Sequence, residues 1–116
     1  MSITDYISFF EDKPNARWIT GALVDAFGRH CAVGFLRSAK INDSSLQDLL
    51  AKHNMPDLAQ LNDDFRNRYG FGDSPKERIL TALGLINLFE LLEASHRSKG
   101  AADTIRVSEA DKLALA

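Results

Sequence analysis

Apolar residues recur at three- and four-residue spacing along most of this chain, the signature of helices that each bury one face. Ile3, Tyr6, Ile7 and Phe10 form the first stripe. Ser2 or Thr4 is placed to cap it and Asp5 suits its first turn, so the pattern predicts a helix over residues 2–11. Asp12-Lys13-Pro14-Asn15 ends that helix. Proline cannot continue the hydrogen-bond ladder and drives Lys13 out of the α region.

Trp18 to Asp25 is ambiguous: Trp18, Ile19, Thr20 and Val24 favour a strand, whereas Ala22 and Leu23 suit either state. Asp25-Ala26-Phe27-Gly28 reads as a turn, with an aspartate able to bond its own backbone and a glycine free to take positive φ. Cys31 to Lys40 is most simply a short helix with Ala32, Phe35, Leu36 and Ala39 on one side. A hairpin pairing Ile19–Asp25 with Arg29–Phe35 is the competing assignment. Asn42-Asp43-Ser44 is expected to cap a helix over Ser45–His53, lined by Leu46, Leu49 and Leu50. Asn54 is a natural left-handed stop and Pro56 a natural new start. Leu58, Leu61 and Phe65 continue at helical spacing, although Asn62-Asp63-Asp64 could break the segment. Gly70-Phe71-Gly72 punctuates the chain.

Ser74-Pro75-Lys76-Glu77 is the clearest start signal: serine at N-cap, proline at the first helical position and glutamate at the third make a capping box. The helix it opens is expected to run to about Arg97. Ile79, Leu80, Leu83, Ile86, Leu88, Phe89, Leu91 and Leu92 would lie inside it or partly inside. So wide an apolar surface implies contacts on more than one side. The helix is therefore the centre of the domain, or one that also carries a homodimer interface. Beyond Ser98 the pattern lapses. Thr104–Val107 could pair as a short strand and Ser108-Glu109-Ala110-Asp111 could cap a last turn, within a weakly packed tail. The expected fold is mainly α: one compact helical domain over residues 1–97 around the helix at about 75–97, with the option of a short β-hairpin near 19–35, then a tail over 98–116.

Composition narrows the function classes. With 116 residues, 45% hydrophobic and 26% charged, the chain is long enough for one self-sufficient core. Its 14 basic and 16 acidic residues give a formal charge of −2 and are dispersed, so no concentrated positive field exists and nucleic acid is not an expected partner. One cysteine excludes an internal disulfide and suits a reducing compartment. The N-terminus lacks a basic region followed by an apolar one, and the run Ile79–Leu92 is interrupted and short for a bilayer span. These features predict a cytoplasmic protein with no membrane contact.

Candidate chemistry centres on Cys31. At a helix start its thiolate would be favoured, and thiol hydrolases pair such a group with a histidine base and a polar orienter. His53 is a better base than the adjacent His30, and Asn62 or Asp63 could orient it. Against this stands a plainer role, a small residue filling a gap beside Ala32 and Val33. No metal site is expected, because CxxC, HxxxH and HExxH are all missing. Asn62-Asp63-Asp64 with Asp73 does not fit a calcium loop, since Asn67 stands where glycine is needed and Asp73 where glutamate is. No phosphate-cradling glycine loop occurs, and no cofactor is expected. Tyr69-Gly70-Phe71, with Arg66 and Arg68 nearby, is the most plausible partner-binding loop; Arg66, Tyr69 and Phe71 are its candidate contacts.

Two stretches carry a family likeness. Trp18-Ile19-Thr20-Gly21-Ala22, Asp25-Ala26-Phe27-Gly28-Arg29 and Cys31-Ala32-Val33-Gly34-Phe35-Leu36 make the first; Leu61-Asn62-Asp63 and Ser74-Pro75-Lys76-Glu77-Arg78-Ile79-Leu80 make the second. Together, over roughly residues 15–86, they resemble a family of small bacterial and phage proteins, a domain of unknown function. Its tryptophan, D-x-x-G-R turn, C-A-[LV]-G-x-L core and N-D element are similar in order. The interval from Asp63 to Ser74 is longer here. The resemblance implies no activity, but it draws attention to Cys31 and Asn62-Asp63 as polar points of one surface. The expected function is a small non-enzymatic binding or regulatory protein, of phage or mobile-element origin, acting on a protein partner or a second copy. The alternative is a cysteine-dependent hydrolase or transferase using Cys31 with His53.

Overall fold

The computed structural model describes residues 1–103, with side chains described through residue 96. Among the described residues are five α-helices: α1 (Ile3–Glu11), α2 (Ala32–Ser38), α3 (Ser44–Lys52), α4 (Leu58–Asn62) and α5 (Pro75–Asp103), plus one 3-10 turn at Asn15–Arg17. The mainly helical expectation holds. The expected strand at Thr104–Val107 and the last turn at Ser108–Asp111 lie outside the described residues.

Helix ends follow local chemistry. Ser2 Oγ accepts from the Asp5 amide at 3.2 Å while Asp5 accepts from the Ser2 amide at 2.9 Å. Asp57 and Gln60 repeat this reciprocal arrangement at the start of α4. At α5 the expected box is only half formed. Ser74 Oγ accepts from the Glu77 amide at 3.2 Å, but the Glu77 carboxylate turns one residue further back, to the Asp73 amide at 3.1 Å. Asn54 does stop α3 with φ 57. Asn42, rather than Asp43, supplies the side-chain bond ahead of α3, accepting from the Ser44 amide at 2.8 Å.

The core is built around the first half of α5, where Ile79, Ala82, Leu83 and Ile86 are fully buried. Tyr6 and Phe10 of α1, Leu36 of α2, Leu46 and Leu50 of α3, and Leu58 and Leu61 of α4 close over it. An aromatic chain extends the core toward α2: Phe10 to Trp18 at 5.7 Å between ring centroids, and Trp18 to Phe35, edge-on, at 4.9 Å.

Residues 19–31 are neither hairpin nor helix. The chain wraps around His30, whose amide donates to the Arg17 carbonyl at 2.8 Å and whose carbonyl accepts from Ile19 at 2.9 Å. Isolated bridges tie His30 to Trp18 and Val24, and no ladder forms among the described residues. Gly21 and Gly28 both take positive φ here, which bends the chain before strand pairing can propagate. The turn expected at Asp25–Gly28 is present, its Asp25 Oδ1 accepting from the Phe27 and Arg29 amides. Phe65 also departs from expectation: α4 ends at Asn62, and Phe65 is exposed.

Helix α5 differs most from the pattern reading. It continues to Asp103 rather than Arg97, and Leu88, Phe89, Leu91 and Leu92 are exposed rather than inside. By length and composition Pro75–His96 is also apolar enough to cross a membrane, which the shorter run Ile79–Leu92 did not suggest. The first half of that stretch, however, forms the domain core and holds the buried Arg78.

Gly34 sets a close approach between α2 and the 19–31 segment. A Cβ there would be driven into the Leu23 carbonyl, so α2 can pack against the 19–31 segment only with glycine at this position. Gly34→Ala is expected to destabilise the protein by about 3 kcal/mol, read as a lower urea midpoint with unchanged slope.

Candidate functional site

The polar centre of the molecule is Asn62, at the last position of α4 and fully buried. Its Oδ1 accepts from the Ala32 amide at 3.0 Å, which satisfies an orphan donor at the start of α2. Its Nδ2 donates to the Ile19 carbonyl and to Asp63 Oδ1, both at 2.9 Å. That same Asp63 oxygen accepts from the Gly21 amide at 3.0 Å. One amide and one carboxylate thus hold the 19–31 segment, α2 and α4 together.

Arg78 completes this centre from α5. It is almost wholly buried, with Nη2 donating to the Asn62 carbonyl at 2.6 Å and Nε to the Leu61 carbonyl at 2.9 Å. These bonds satisfy the carbonyls at the C-terminal end of α4. Sequence reading passed over Arg78, although a charged residue one turn before Ala82 on the buried face was the available signal.

The following loop is organised by Asp64, which is also buried. Its oxygens accept from the Arg68 amide at 2.9 Å and the Tyr69 amide at 3.0 Å. Burial opposes the charged carboxylate, but these backbone bonds and the charges of Arg68 and Arg78 outweigh it and hold the carboxyl below its ordinary value. Asn67, at φ 52, accepts from the Gly72 amide at 3.0 Å and closes the loop.

Cys31 is buried and is itself the N-cap of α2, its sulfur accepting from the Gly34 amide at 3.4 Å. His53 lies at the other end of α3, where Nε2 meets Glu90 Oε2 at 2.7 Å and the ring rests 5.5 Å from Phe89. Lys52 shares Glu90 at 2.8 Å and reaches Glu93 at 2.9 Å. Hydrogen bonds from Lys52 and His53 keep the Glu90 carboxyl below its usual range. Cys31 and Asn62 are thus brought to one place, through the Ala32 amide, while His53 faces α5. The Asn62 side chain is committed to Ala32, Ile19 and Asp63, not to orienting an imidazole. His30, next to Cys31, stacks on Phe35 at 5.0 Å and leaves Nδ1 buried without a partner. No cluster of His, Cys, Asp or Glu suited to a metal occurs among the described residues.

The candidate binding residues divide. Phe71 packs against the core, whereas Tyr69 is exposed and Arg66 lies 5.5 Å from the Phe65 ring centroid. Phe27 pairs with Arg29 at the same 5.5 Å. Both rings project from loops that Asn62 and Asp63 hold together. The cleft beside Phe65, lined by Asp63, Asp64, Arg66 and Arg68, has about 120 Å³, small against the several hundred Å³ of a typical organic-ligand pocket. The chain matches no protein-family model, no curated protein and no solved structure.

Asn62→Ala would strand the Ala32 amide and the Ile19 carbonyl in the interior. We expect a loss of about 2–4 kcal/mol in chemical denaturation, with faster amide exchange at Ile19, Gly21 and Ala32. Acid should act on Asp64. A carboxyl held low in the folded state adds stability above its unfolded value and loses that contribution as pH falls through the folded value. Stability is therefore expected to be level near neutrality and to decline below about pH 4, with the Arg68 and Tyr69 amide resonances shifting only below the range in which ordinary carboxyls titrate. Unchanged resonances down to global unfolding would contradict this role.

Proposed function

We propose that this chain is a small non-enzymatic binding or regulatory protein that acts through protein contacts made by the two loops joined at Asn62 and Asp63. The observation that carries this reading is ring exposure: Phe27 is 81% exposed and Phe65 73%. Full burial of a phenylalanine side chain is worth about 2–3 kcal/mol, so two such rings left in water hold binding energy that a partner can use. A guanidinium beside each ring, from Arg29 and from Arg66, adds a polar rim.

Rigidity beneath the rings supports the same reading. Asp25 organises the Phe27 turn through two backbone amides and an ion pair with Arg29, while Asp64 organises the loop after Phe65. Loops held in this way lose less freedom on binding. The rival reading, Cys31 as nucleophile with His53 as base, draws no support from a buried capping sulfur and an imidazole bound to Glu90. A reducing, cytoplasmic setting suits a chain whose one thiol serves as a cap.

The test is a Phe27→Ser/Phe65→Ser double variant. Its stability should stay within about 0.5 kcal/mol of the parent, while a partner recovered by cross-linking in cells is lost at least tenfold. A partner retained equally by both proteins, with cross-links mapping elsewhere, would overturn the reading. Iodoacetamide labelling of the native parent tests the rival: slow modification of Cys31 is expected, and rapid modification at neutral pH would restore thiol chemistry.

A further inference from the structure

Helix α5 has two apolar faces, and among the described residues only one is packed into the core. Ile79, Ala82, Leu83 and Ile86 face the core, while Leu88, Leu91 and Leu92 are 48%, 60% and 57% exposed. With Thr81, Gly84, Leu85 and Ser95 they make a stripe recurring every three or four residues over four turns, on the side away from the core. We infer that this stripe pairs with the same stripe of a second copy, antiparallel, about a two-fold axis at Leu88.

Three observations favour a second copy as the occupant. The first is shape. Reversal about Leu88 sets Thr81 opposite Ser95, Gly84 opposite Leu92 and Leu85 opposite Leu91, so the smallest residue meets one of the largest. A Cβ at Gly84 would meet nothing within 4 Å among the described residues, although glycine in mid-helix costs about 1 kcal/mol relative to alanine. No packing among the described residues requires it, and a closely approaching second helix would.

The second is charge. Glu90 and Glu93 are the charged residues between positions 79 and 95, and Lys52 and His53 of α3 hold them on the other side. Two copies of the stripe therefore meet without like charges between them, which an isologous contact requires. The third is area. The three half-exposed leucines offer on the order of 100 Å² each, about 600 Å² for two copies, and the exposed Thr81, Gly84 and Ser95 bring the contact toward the roughly 1,000 Å² that a weak specific interface needs. The expected dimer is weak and reversible, and independent of the loop contacts proposed above.

Light scattering on the eluting full-length protein should show a dimer at about 100 μM that dissociates on dilution. Leu88→Glu and Leu92→Glu should each weaken association at least tenfold while leaving the helical circular dichroism unchanged. Orientation is read on a Cys31→Ser background, which keeps a capping oxygen. A Thr81→Cys chain mixed with a Ser95→Cys chain should cross-link to each other rather than each to itself. A strictly monomeric parent, a Leu88→Glu protein that still dimerises, or cross-links confined to like chains would overturn the inference. So would a monomer that instead sediments with phosphatidylcholine vesicles. Phe27→Ser/Phe65→Ser protein should dimerise normally, so failure of either proposal is seen separately.

Discussion

Asn62 is the constraint on which the rest of the structure depends. A fully buried amide must satisfy its donors and acceptors inside the protein, and here the residue's partners come from four places in the chain. Its oxygen serves the first amide of α2, its nitrogen serves Ile19 and Asp63, and its own carbonyl takes the Arg78 guanidinium from α5. The irregular 19–31 segment has no ladder of its own. It keeps its shape because polar groups elsewhere supply its missing bonds.

This arrangement also explains how a domain of short helices presents rigid loops. Helices of five to nine residues, as α1 to α4 are, are marginal by themselves and depend on packing and caps. Each cap here is a specific side chain: Ser2, Cys31, Asn42 ahead of α3, and Asp57. Cys31 belongs with these caps, its sulfur doing at α2 what an oxygen does elsewhere. The buried carboxylate of Asp64 extends the same device into the next loop. Exposed rings at Phe27 and Phe65 therefore sit on braced backbone, and a surface of that kind is suited to recognition.

Much of the fold was legible from local pattern. The stripe Ile3-Tyr6-Ile7-Phe10 placed α1, Leu46-Leu49-Leu50 placed α3, and Ser74-Pro75 placed the start of α5, because a helix writes its buried face into residue spacing. The 19–35 region was not legible in this way. Its β-branched residues favour strands, but Gly21 and Gly28 at positive φ turn the chain around His30. Asn62 reaches the Ala32 amide beside Cys31 and bonds Asp63, which gives these polar residues a structural task. His53 went elsewhere, since nothing in the spacing of one residue on α3 shows which helix it will face.

Helix starts, the glycine turn at Asp25–Gly28 and the absence of a concentrated charge field were determined by the sequence itself, since each depends on composition or on neighbours a few residues away. Tertiary structure alone decided that Arg78 is an interior residue, that Phe27 and Phe65 are outside, and which of the two apolar faces of α5 the core takes. Those outcomes depend on partners up to several dozen residues distant. Spacing can show that a helix has two apolar sides, but only packing against α1 and α4 shows which one is left over.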